Sequence, residues 1–266
     1  MPALAQRIEE TKVDPGTLAV YWLAQAGFVF KTSGGKVIYI DPYLSDYVER
    51  LHGSGFKRMM GAPISAEEVR ADVVLCTHEH EDHLDMDSIP VVARNTSAIF
   101  AGPIECIKGF EKAGIGAGRS VLLERDKTVE IEGVRVTGVY ADHGTYAPDA
   151  LGLVLDFEGI RVYHSGDTAY RPDEMKSPAI LSPDVFIPCI NGRYGNMDSR
   201  DAAMLARDIS ARVVIASHFW MFVAHNGDPA LFLEACKEIA PSVEPHVMKP
   251  GELLVVSAAK AAQRHT

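Results

Sequence analysis

The chain has 266 residues, of which 47% are hydrophobic, and a formal net charge of −10 at pH 7. A chain of this length buries roughly three quarters of its unfolded surface when it folds, so the composition is that of an ordinary globular protein. The negative charge repels phosphate backbones and argues against nucleic acid as a partner.

The sequence predicts a cytoplasmic protein without a membrane partner. Its first 16 residues contain no apolar stretch of signal-peptide length, and no later run approaches the ~18 apolar residues of a membrane helix. The four cysteines are far apart and form no Cys-x-x-Cys pair. We therefore expect reduced thiols in the core.

Short apolar or alternating runs along the chain predict eleven β-strands. They cover residues 17–23, 27–31, 36–40, 72–77, 97–101, 134–140, 151–157, 160–164, 184–189, 212–217 and 252–256. Helical patterns cover 103–113, a segment that begins near Ser199, and 228–239, where Asp228 and Pro229 suit the first positions of a helix. This order favours an α/β (α+β) fold in which two sheets pack face to face beneath outer helices.

The chain contains no low-complexity linker between its halves. We therefore predict a single domain over residues 1–256. The small, polar segment 257–266 is expected to fray.

Three imidazoles and the carboxylate of Asp82 cluster in the run His78-Glu79-His80-Glu81-Asp82-His83, directly after the predicted strand 72–77. Side chains two positions apart in an extended turn point into one space, and imidazole nitrogen with carboxylate oxygen suits Zn²⁺, Mn²⁺ or Fe²⁺. The competing interpretation is a solvated acidic loop that is rich in histidine by chance. The density of ligands favours a metal site.

Further candidate ligands follow three other predicted strands. His143 comes after 134–140, Asp167 after 160–164, and His218 ends 212–217. Taken singly, each has a structural alternative: a loop histidine, a turn-capping carboxylate and a core histidine at a strand end. Their common position at strand ends favours a shared site.

The order His-x-His-x-Asp-His, then His, Asp and His, each after a strand, resembles the five-part pattern of the metallo-β-lactamase superfamily over most of the chain. Residues 13–17, Trp22-Leu23 with Gly27, 57–61, 163–167 and the helix start at 228 are similar to the L-ascorbate-6-phosphate lactonase group. The resemblance implies a four-layer αββα sandwich with the metal site at one end of the sheets.

The same resemblance implies one or two divalent ions, Mn²⁺ or Zn²⁺, with Fe²⁺ as a further option. One ion would be held by His78, His80 and His143, and the second by Asp82, His83 and His218. Asp167 would bridge them.

Other residues are predicted to support this site. Asp41 resembles the superfamily's first motif, an acid that orients the metal-binding loop, although a turn-capping role before Pro42 is nearly as good an interpretation. His164 ends a strand and is a second candidate for supporting the ligands. Arg193, Tyr194 and Asn196 lie on a glycine-rich loop, and Arg193 offers a fork for phosphate or carboxylate. Trp220 would wall the pocket, with ordinary core packing as the alternative.

The chemistry implied is hydrolysis, because a metal lowers the pKa of its bound water to ~7 and so supplies hydroxide at neutral pH. Asp82 is the candidate proton acceptor, and Asp167 is the second catalytic carboxylate. Two divalent ions would outweigh these two negative charges, which favours a small phosphorylated or carboxylated substrate. We predict a lactone such as L-ascorbate 6-phosphate or a related sugar-acid lactone, and, from the resemblance, a homo-oligomer.

Two alternatives remain open at this level. One is a phosphodiesterase of the same superfamily, which would use the same metals on a phosphate ester. The other is a non-catalytic metal-binding regulator that has kept the fold and its ligands.

Overall fold

The computed structural model describes residues 3–225 and 227–258. Within these ranges the strands are β1 (Thr17–Trp22), β2 (Phe28–Lys31), β3 (Val37–Ile40), β4 (Val73–Leu75), β5 (Ile99–Gly102), β6 (Ser120–Leu122), β7 (Thr128–Ile131), β8 (Val134–Tyr140), β9 (Leu151–Phe157), β10 (Ile160–His164), β11 (Val185–Ile187), β12 (Val213–Ile215), β13 (Glu244–His246) and β14 (Leu253–Ser257). The helices are α1 (Leu4–Glu10), α2 (Tyr47–His52), α3 (Ile89–Asn95), α4 (Ile104–Lys112), α5 (Lys176–Leu181), α6 (Ser199–Asp208) and α7 (Pro229–Ile239).

The strands form two seven-stranded sheets. The first has the order β14-β1-β2-β3-β4-β5-β6, antiparallel from β14 to β3 and parallel from β3 to β6. The second has the order β13-β12-β11-β10-β9-β8-β7, parallel from β13 to β10 and antiparallel from there to β7. In parallel strands the carboxyl ends share one edge of a sheet. The loops that follow these strands are therefore collected at one edge.

Successive side chains of β1 point alternately into two separate hydrophobic clusters. Leu18, Val20 and Trp22 belong to the core cluster that contains the facing strands of the second sheet. Ala19 and Tyr21 belong to a separate cluster, which the first sheet forms with α1, α3 and α4. Both faces of the strand are buried, so β1 reads as a continuous apolar run in the sequence.

Helices α6 and α7 cover the outer face of the second sheet. Ala202 and Leu205 on α6 and Phe232 on α7 are buried in the same cluster as Val214 on β12. Asp228 caps α7 by accepting a hydrogen bond from the amide of Ala230 at 2.8 Å, as its position before Pro229 predicted. The predicted αββα sandwich and single domain are confirmed.

All eleven predicted strands and all three predicted helices are present. Strands β6, β7 and β13 and helices α1, α2, α3 and α5 were not predicted. The three strands are short and partly exposed, and the four helices have only six or seven residues, too few for a clear apolar period.

Backbone pairing continues for two residues past the predicted boundary at 256. Ser257 pairs with Thr17 as the last residue of β14, and the amide of Ala258 donates to the carbonyl of Gly16 at 3.2 Å. The rest of the predicted tail, 259–266, lies outside the described residues.

The predicted core thiols are confirmed, because Cys76, Cys106, Cys189 and Cys236 are all free and buried. Among the described residues, no helix combines the length and the apolar character needed to cross a bilayer.

Candidate metal centre

Four loops meet at one edge of the sandwich and bring the predicted ligands together. The segment 78–83 follows β4, His143 follows β8, Asp167 follows β10, and His218 follows β12. Their ligand atoms fall into three groups, in each of which all atoms lie within 4.8 Å of one another: His78, His80 and His143; Asp82, His83 and His218; and His78, His83 and Asp167.

The first group consists of three imidazoles. His80 Nδ1 lies 3.0 Å from His78 Nε2 and 3.3 Å from His143 Nε2. On its other side, His80 Nε2 lies 3.1 Å from the carbonyl oxygen of Tyr146. Because a carbonyl only accepts hydrogen bonds, Nε2 carries the proton and the Nδ1 lone pair of the neutral ring faces the group.

The second group joins two imidazoles to a carboxylate. His218 Nε2 lies 3.3 Å from His83 Nε2 and 3.4 Å from Asp82 Oδ2. His218 has a backbone φ of +59°, which turns the chain sharply at the end of β12. Three ligand atoms converge at distances that a divalent ion spans.

Asp167 lies between the two groups. Its Oδ1 is 3.2 Å from His218 Nε2 and 3.4 Å from His83 Nε2, and its Oδ2 is 3.7 Å from His143 Nε2. Oδ1 is buried and makes no hydrogen bond within the described chain. A buried carboxylate oxygen without a donor needs a positive partner, and a bridging position between two cations meets that need.

The charges of the second group also favour a cation. Burial opposes a charge on His83, but Asp167, Asp41 and Asp82 outweigh it and hold the pKa of His83 well above its ordinary value. Burial likewise opposes ionisation of Asp82, yet His83 and His218 hold its pKa well below the ordinary value. These carboxylates attract positive charge into a buried space, and a divalent ion supplies that charge without a proton.

Two imidazoles of the first group, His78 and His143, stay neutral, as metal ligation requires. Burial is the largest cause that lowers the pKa of His78 well below its ordinary value, and burial also lowers the pKa of His143 to about 4. Their lone pairs are therefore available at pH 7. The donor set, the neutral imidazoles and the Asp167 oxygen that makes no hydrogen bond together fit one or two divalent ions.

Asp41 lies directly behind the ligands. Its Oδ2 is 2.7 Å from His83 Nδ1 and accepts a 2.7 Å hydrogen bond from Thr77 Oγ1, while Oδ1 accepts from the Thr77 amide at 2.8 Å. Its backbone has a φ of +46°, which turns the carboxylate back toward β4. These contacts would allow Asp41 to fix the imidazole of His83, and its orienting role stays a prediction.

His164 does not reach the ligand atoms. Its Nε2 donates to the carbonyl of Ala26 at 2.8 Å, and its Nδ1 accepts from the amide of Gly166 at 3.1 Å. The ring therefore ties the loop after β1 to the turn that carries Asp167. Its hydrogen bonds fix the backbone of these two loops beside the ligands.

A cavity of about 230 Å³ opens above the ligands. Its floor contains His80, Asp82, His143, Asp167 and His218. The remaining wall is largely apolar or aromatic and consists of Val48, His52, Phe56, Glu81, Tyr146, Tyr194, Phe222 and His225. Among the described lining residues there is no lysine or arginine.

Of the four predicted substrate-binding residues, only Tyr194 lines this cavity. Asn196 instead donates from Nδ2 to Asp167 Oδ2 at 2.7 Å and so orients that carboxylate. Arg193 is exposed on the loop and lies outside the lining. Trp220 also lies outside it, because a backbone φ of +53° leaves its ring about half exposed beside Phe219.

Two residues of the site had no predicted role. Gln25 is fully buried and places its side-chain nitrogen 2.6 Å from Asp82 Oδ2. His225 lines the cavity, stacks on His218 at 4.8 Å between ring centroids, and has a pKa lowered by burial to about 4. Both lie in loops without a motif, so only proximity in the fold identifies them.

The αββα sandwich and the seven converging His and Asp side chains define a protein of the metallo-β-lactamase type. A family model described as "Beta-lactamase superfamily domain" matches residues 19–218. The chain is 33% identical over 254 residues to a "UPF0173 metal-dependent hydrolase" of Rubrobacter xylanophilus, and the match covers 90% of this chain and 97% of that protein. This chain therefore belongs to the metallo-β-lactamase superfamily, within the family of these metal-dependent hydrolases.

Solved structures show the same fold. Igni18, described as a novel metallo hydrolase from Ignicoccus hospitalis, has a TM-score of 0.72 and 23% identity, and the match covers 91% of this chain and all (100%) of that one. An isothiocyanate hydrolase from Delia radicum gut bacteria has a TM-score of 0.73 and 21% identity, with the same coverage of 91% and 100%. The predicted superfamily is confirmed. The resemblance to the L-ascorbate-6-phosphate lactonase group stays a prediction.

Proposed function

We propose that this protein is a metal-dependent hydrolase that cleaves a small carboxylic ester, in the simplest case a lactone. The observation that carries the proposal is the position of Asp167, whose two oxygens face different groups of ligand atoms at the floor of an open cavity. Such an arrangement serves a reaction in which water and substrate meet above the ligands.

Divalent ions held by the two groups would lower the pKa of a coordinated water to ~7 and polarise a substrate carbonyl. The chain's own residues hold this arrangement rigid. Asp41 orients His83, and Asn196 orients Asp167. Asp82, whose pKa lies well below its ordinary value, would help to hold a cation, and its role as proton acceptor stays a prediction.

The wall of the cavity favours an uncharged or weakly charged substrate. Phe56, Tyr146 and Phe222 supply apolar surface, and no lysine or arginine of the described lining would pair with a phosphate. A dry cavity of about 150 Å³ holds a benzene ring, so about 230 Å³ accommodates a ring with a short substituent. We therefore favour a lactone that carries an apolar group over L-ascorbate 6-phosphate.

A panel of substrates tests the proposal on protein whose metal content has been measured by mass spectrometry after loading with Mn²⁺ or Zn²⁺. The panel contains γ- and δ-lactones with alkyl chains of increasing length, L-ascorbate 6-phosphate and bis-p-nitrophenyl phosphate. We expect hydrolysis of the alkyl lactones, and its loss in Asp167→Asn. His246→Ala is the matched control, because that imidazole contacts Glu244 on β13, away from the cavity lining.

Other outcomes identify the alternatives. Hydrolysis of bis-p-nitrophenyl phosphate alone would assign the protein to the phosphodiesterases. Full metal occupancy without hydrolysis of any compound would favour a non-catalytic metal-binding regulator. The expectations of a homo-oligomer and of no nucleic-acid partner remain proposals, which light scattering and a DNA-binding assay address.

A further inference from the structure

The side-chain amide of Gln25 lies among the atoms of the second ligand group. Its Nε2 is 2.6 Å from Asp82 Oδ2, 3.1 Å from His218 Nε2 and 3.3 Å from His225 Nδ1. An amide nitrogen carries only two hydrogens, so only two of these three atoms receive a hydrogen bond. The lone pair of His218 Nε2 belongs to the ligand group, which leaves Asp82 and His225 as the acceptors.

The backbone holds this amide in place. Ala24 and Gln25 both have positive φ angles, of +73° and +49°. The carbonyl of Gln25 accepts hydrogen bonds from Trp22 Nε1 and from the amide of His218, both at 3.0 Å. The loop after β1 is therefore fastened to the loop after β12, and the amide has a fixed direction.

His225 receives the second hydrogen of the amide and is itself held in one orientation. Its ring stacks on His218 at 4.8 Å and meets the edge of Phe222 at 4.9 Å between centroids. Its backbone amide donates to the carbonyl of Phe222 at 2.9 Å. A neutral imidazole that accepts through Nδ1 carries its proton on Nε2, and this ring lines the cavity.

We propose that Gln25 orients His225 so that its Nε2–H donates a hydrogen bond to the carbonyl oxygen of the substrate. This proposal rests on the proposed hydrolase function. No proton is transferred: the donor stabilises the negative charge that this oxygen gains when water adds to the carbonyl carbon, and a fixed donor serves this purpose best. Gln25 is a positioning residue, since it acts through His225.

The position of the proton on His225 tests the pair directly. In protein loaded with Zn²⁺ and labelled with ¹⁵N-histidine, a long-range ¹H–¹⁵N spectrum distinguishes the two neutral forms, and His225→Phe assigns the signal. We expect the proton on Nε2 in the unmodified protein and a loss of this preference in Gln25→Met, which has a similar shape but no amide. A proton on Nδ1 in the unmodified protein would overturn the proposal.

Kinetics test the role toward substrate. In His225→Phe, which keeps an aromatic ring, kcat should fall about 100-fold with little change in KM, as for loss of an oxyanion donor. His225→Gln keeps an N–H donor and should recover part of the loss, and His246→Phe is the control. An unchanged kcat in His225→Phe would refute the donor role, and loss of bound metal in this variant would identify His225 as a ligand instead.

The two proposals fail in different ways. If the metal-loaded protein hydrolyses no ester, the proposed function is wrong and the substrate role of His225 falls with it, whereas the spectrum still decides whether Gln25 sets the proton position. If esters are hydrolysed and His225→Phe is fully active, the hydrolase function stands and only the pair is refuted.

Discussion

His83 Nδ1 lies 2.7 Å from Asp41 Oδ2, and both side chains are fully buried. The contact leaves His83 Nε2 directed toward Asp167 and His218. A carboxylate behind a ligand imidazole fixes the ring orientation and raises the basicity of the ligand atom. The pair thus links the end of β3 to the candidate metal centre.

Replacing Asp41 should weaken metal binding. In the unmodified protein the Thr77 amide, the Thr77 hydroxyl and His83 share the two side-chain oxygens of Asp41. Asp41→Asn leaves a single side-chain oxygen for these three groups. We expect metal affinity to fall by about 10- to 100-fold, measured by competition with a chromogenic chelator. Glu238→Gln, in an exposed ion pair with Arg200, is the control, and equal affinity in both variants would contradict the role of Asp41.

Removing divalent ions should lower the melting temperature. Bound metal stabilises the fold by ~4 kcal/mol at a concentration 1,000-fold above its Kd. For a chain of this size each kcal/mol corresponds to about 2–4 °C, so we expect a decrease of about 8–16 °C on addition of a chelator. Differential scanning calorimetry measures it, and Asp167→Asn should show a much smaller shift. A melting temperature independent of metal would argue against the site.

The metal-free protein should lose stability as the pH falls from 7 to 5. The pKa values of His143 and His225 are about 4 in the fold, against an ordinary value of 6.5. The unfolded chain therefore takes up protons below pH 6.5 that the folded chain does not. The contribution of these two imidazoles to stability is complete above this pH and declines toward pH 4. His83, whose pKa is raised, has the opposite effect: its contribution to stability is lost as the pH rises above 6.5.

Each unit of pKa difference corresponds to ~1.4 kcal/mol, so the loss from His143 and His225 between pH 7 and 5 should be on the order of 2–4 kcal/mol. Urea unfolding of the metal-free protein at the two pH values measures it. His225→Gln should reduce the pH dependence in part, because it removes one of the groups with a lowered pKa, while others such as His78 remain. Identical midpoints at pH 7 and 5 would contradict the lowered pKa values.

A methyl group at Gly166 should disturb the turn that carries Asp167. Gly166 has a φ of +58°, and a Cβ there would lie 3.0 Å from both the Leu151 carbonyl oxygen and Thr77 Cβ. Gly133 has a φ of +81° with no atom within 4 Å of such a Cβ. Gly133→Ala should therefore cost only the backbone strain of about 1–2 kcal/mol, whereas Gly166→Ala should cost about 1–3 kcal/mol more through overlap. Urea unfolding measures the loss of stability in each variant. An equal loss in both would show that the turn at Gly166 adjusts to the added methyl group.

The amino-acid sequence by itself determined the strands that build the site and the ligands at their ends. Apolar runs such as 151–157 and 160–164 are local patterns, because a buried strand needs apolar side chains wherever its partners lie. The ligand residues were also visible locally, since imidazoles and carboxylates recur directly after several of the predicted strands. The strands missed, such as β13, are partly exposed and lack that pattern.

Only the tertiary structure decided which residues meet at the centre. Gln25 reaches Asp82 because positive φ angles turn the loop after β1 toward the end of β12, and no periodicity in the sequence encodes that turn. Backbone direction likewise placed Tyr194 in the cavity wall and left Trp220 outside it. Local patterns specify which side chains a strand end presents, whereas contacts between loops depend on the order of the strands in both sheets and on the turns that join them.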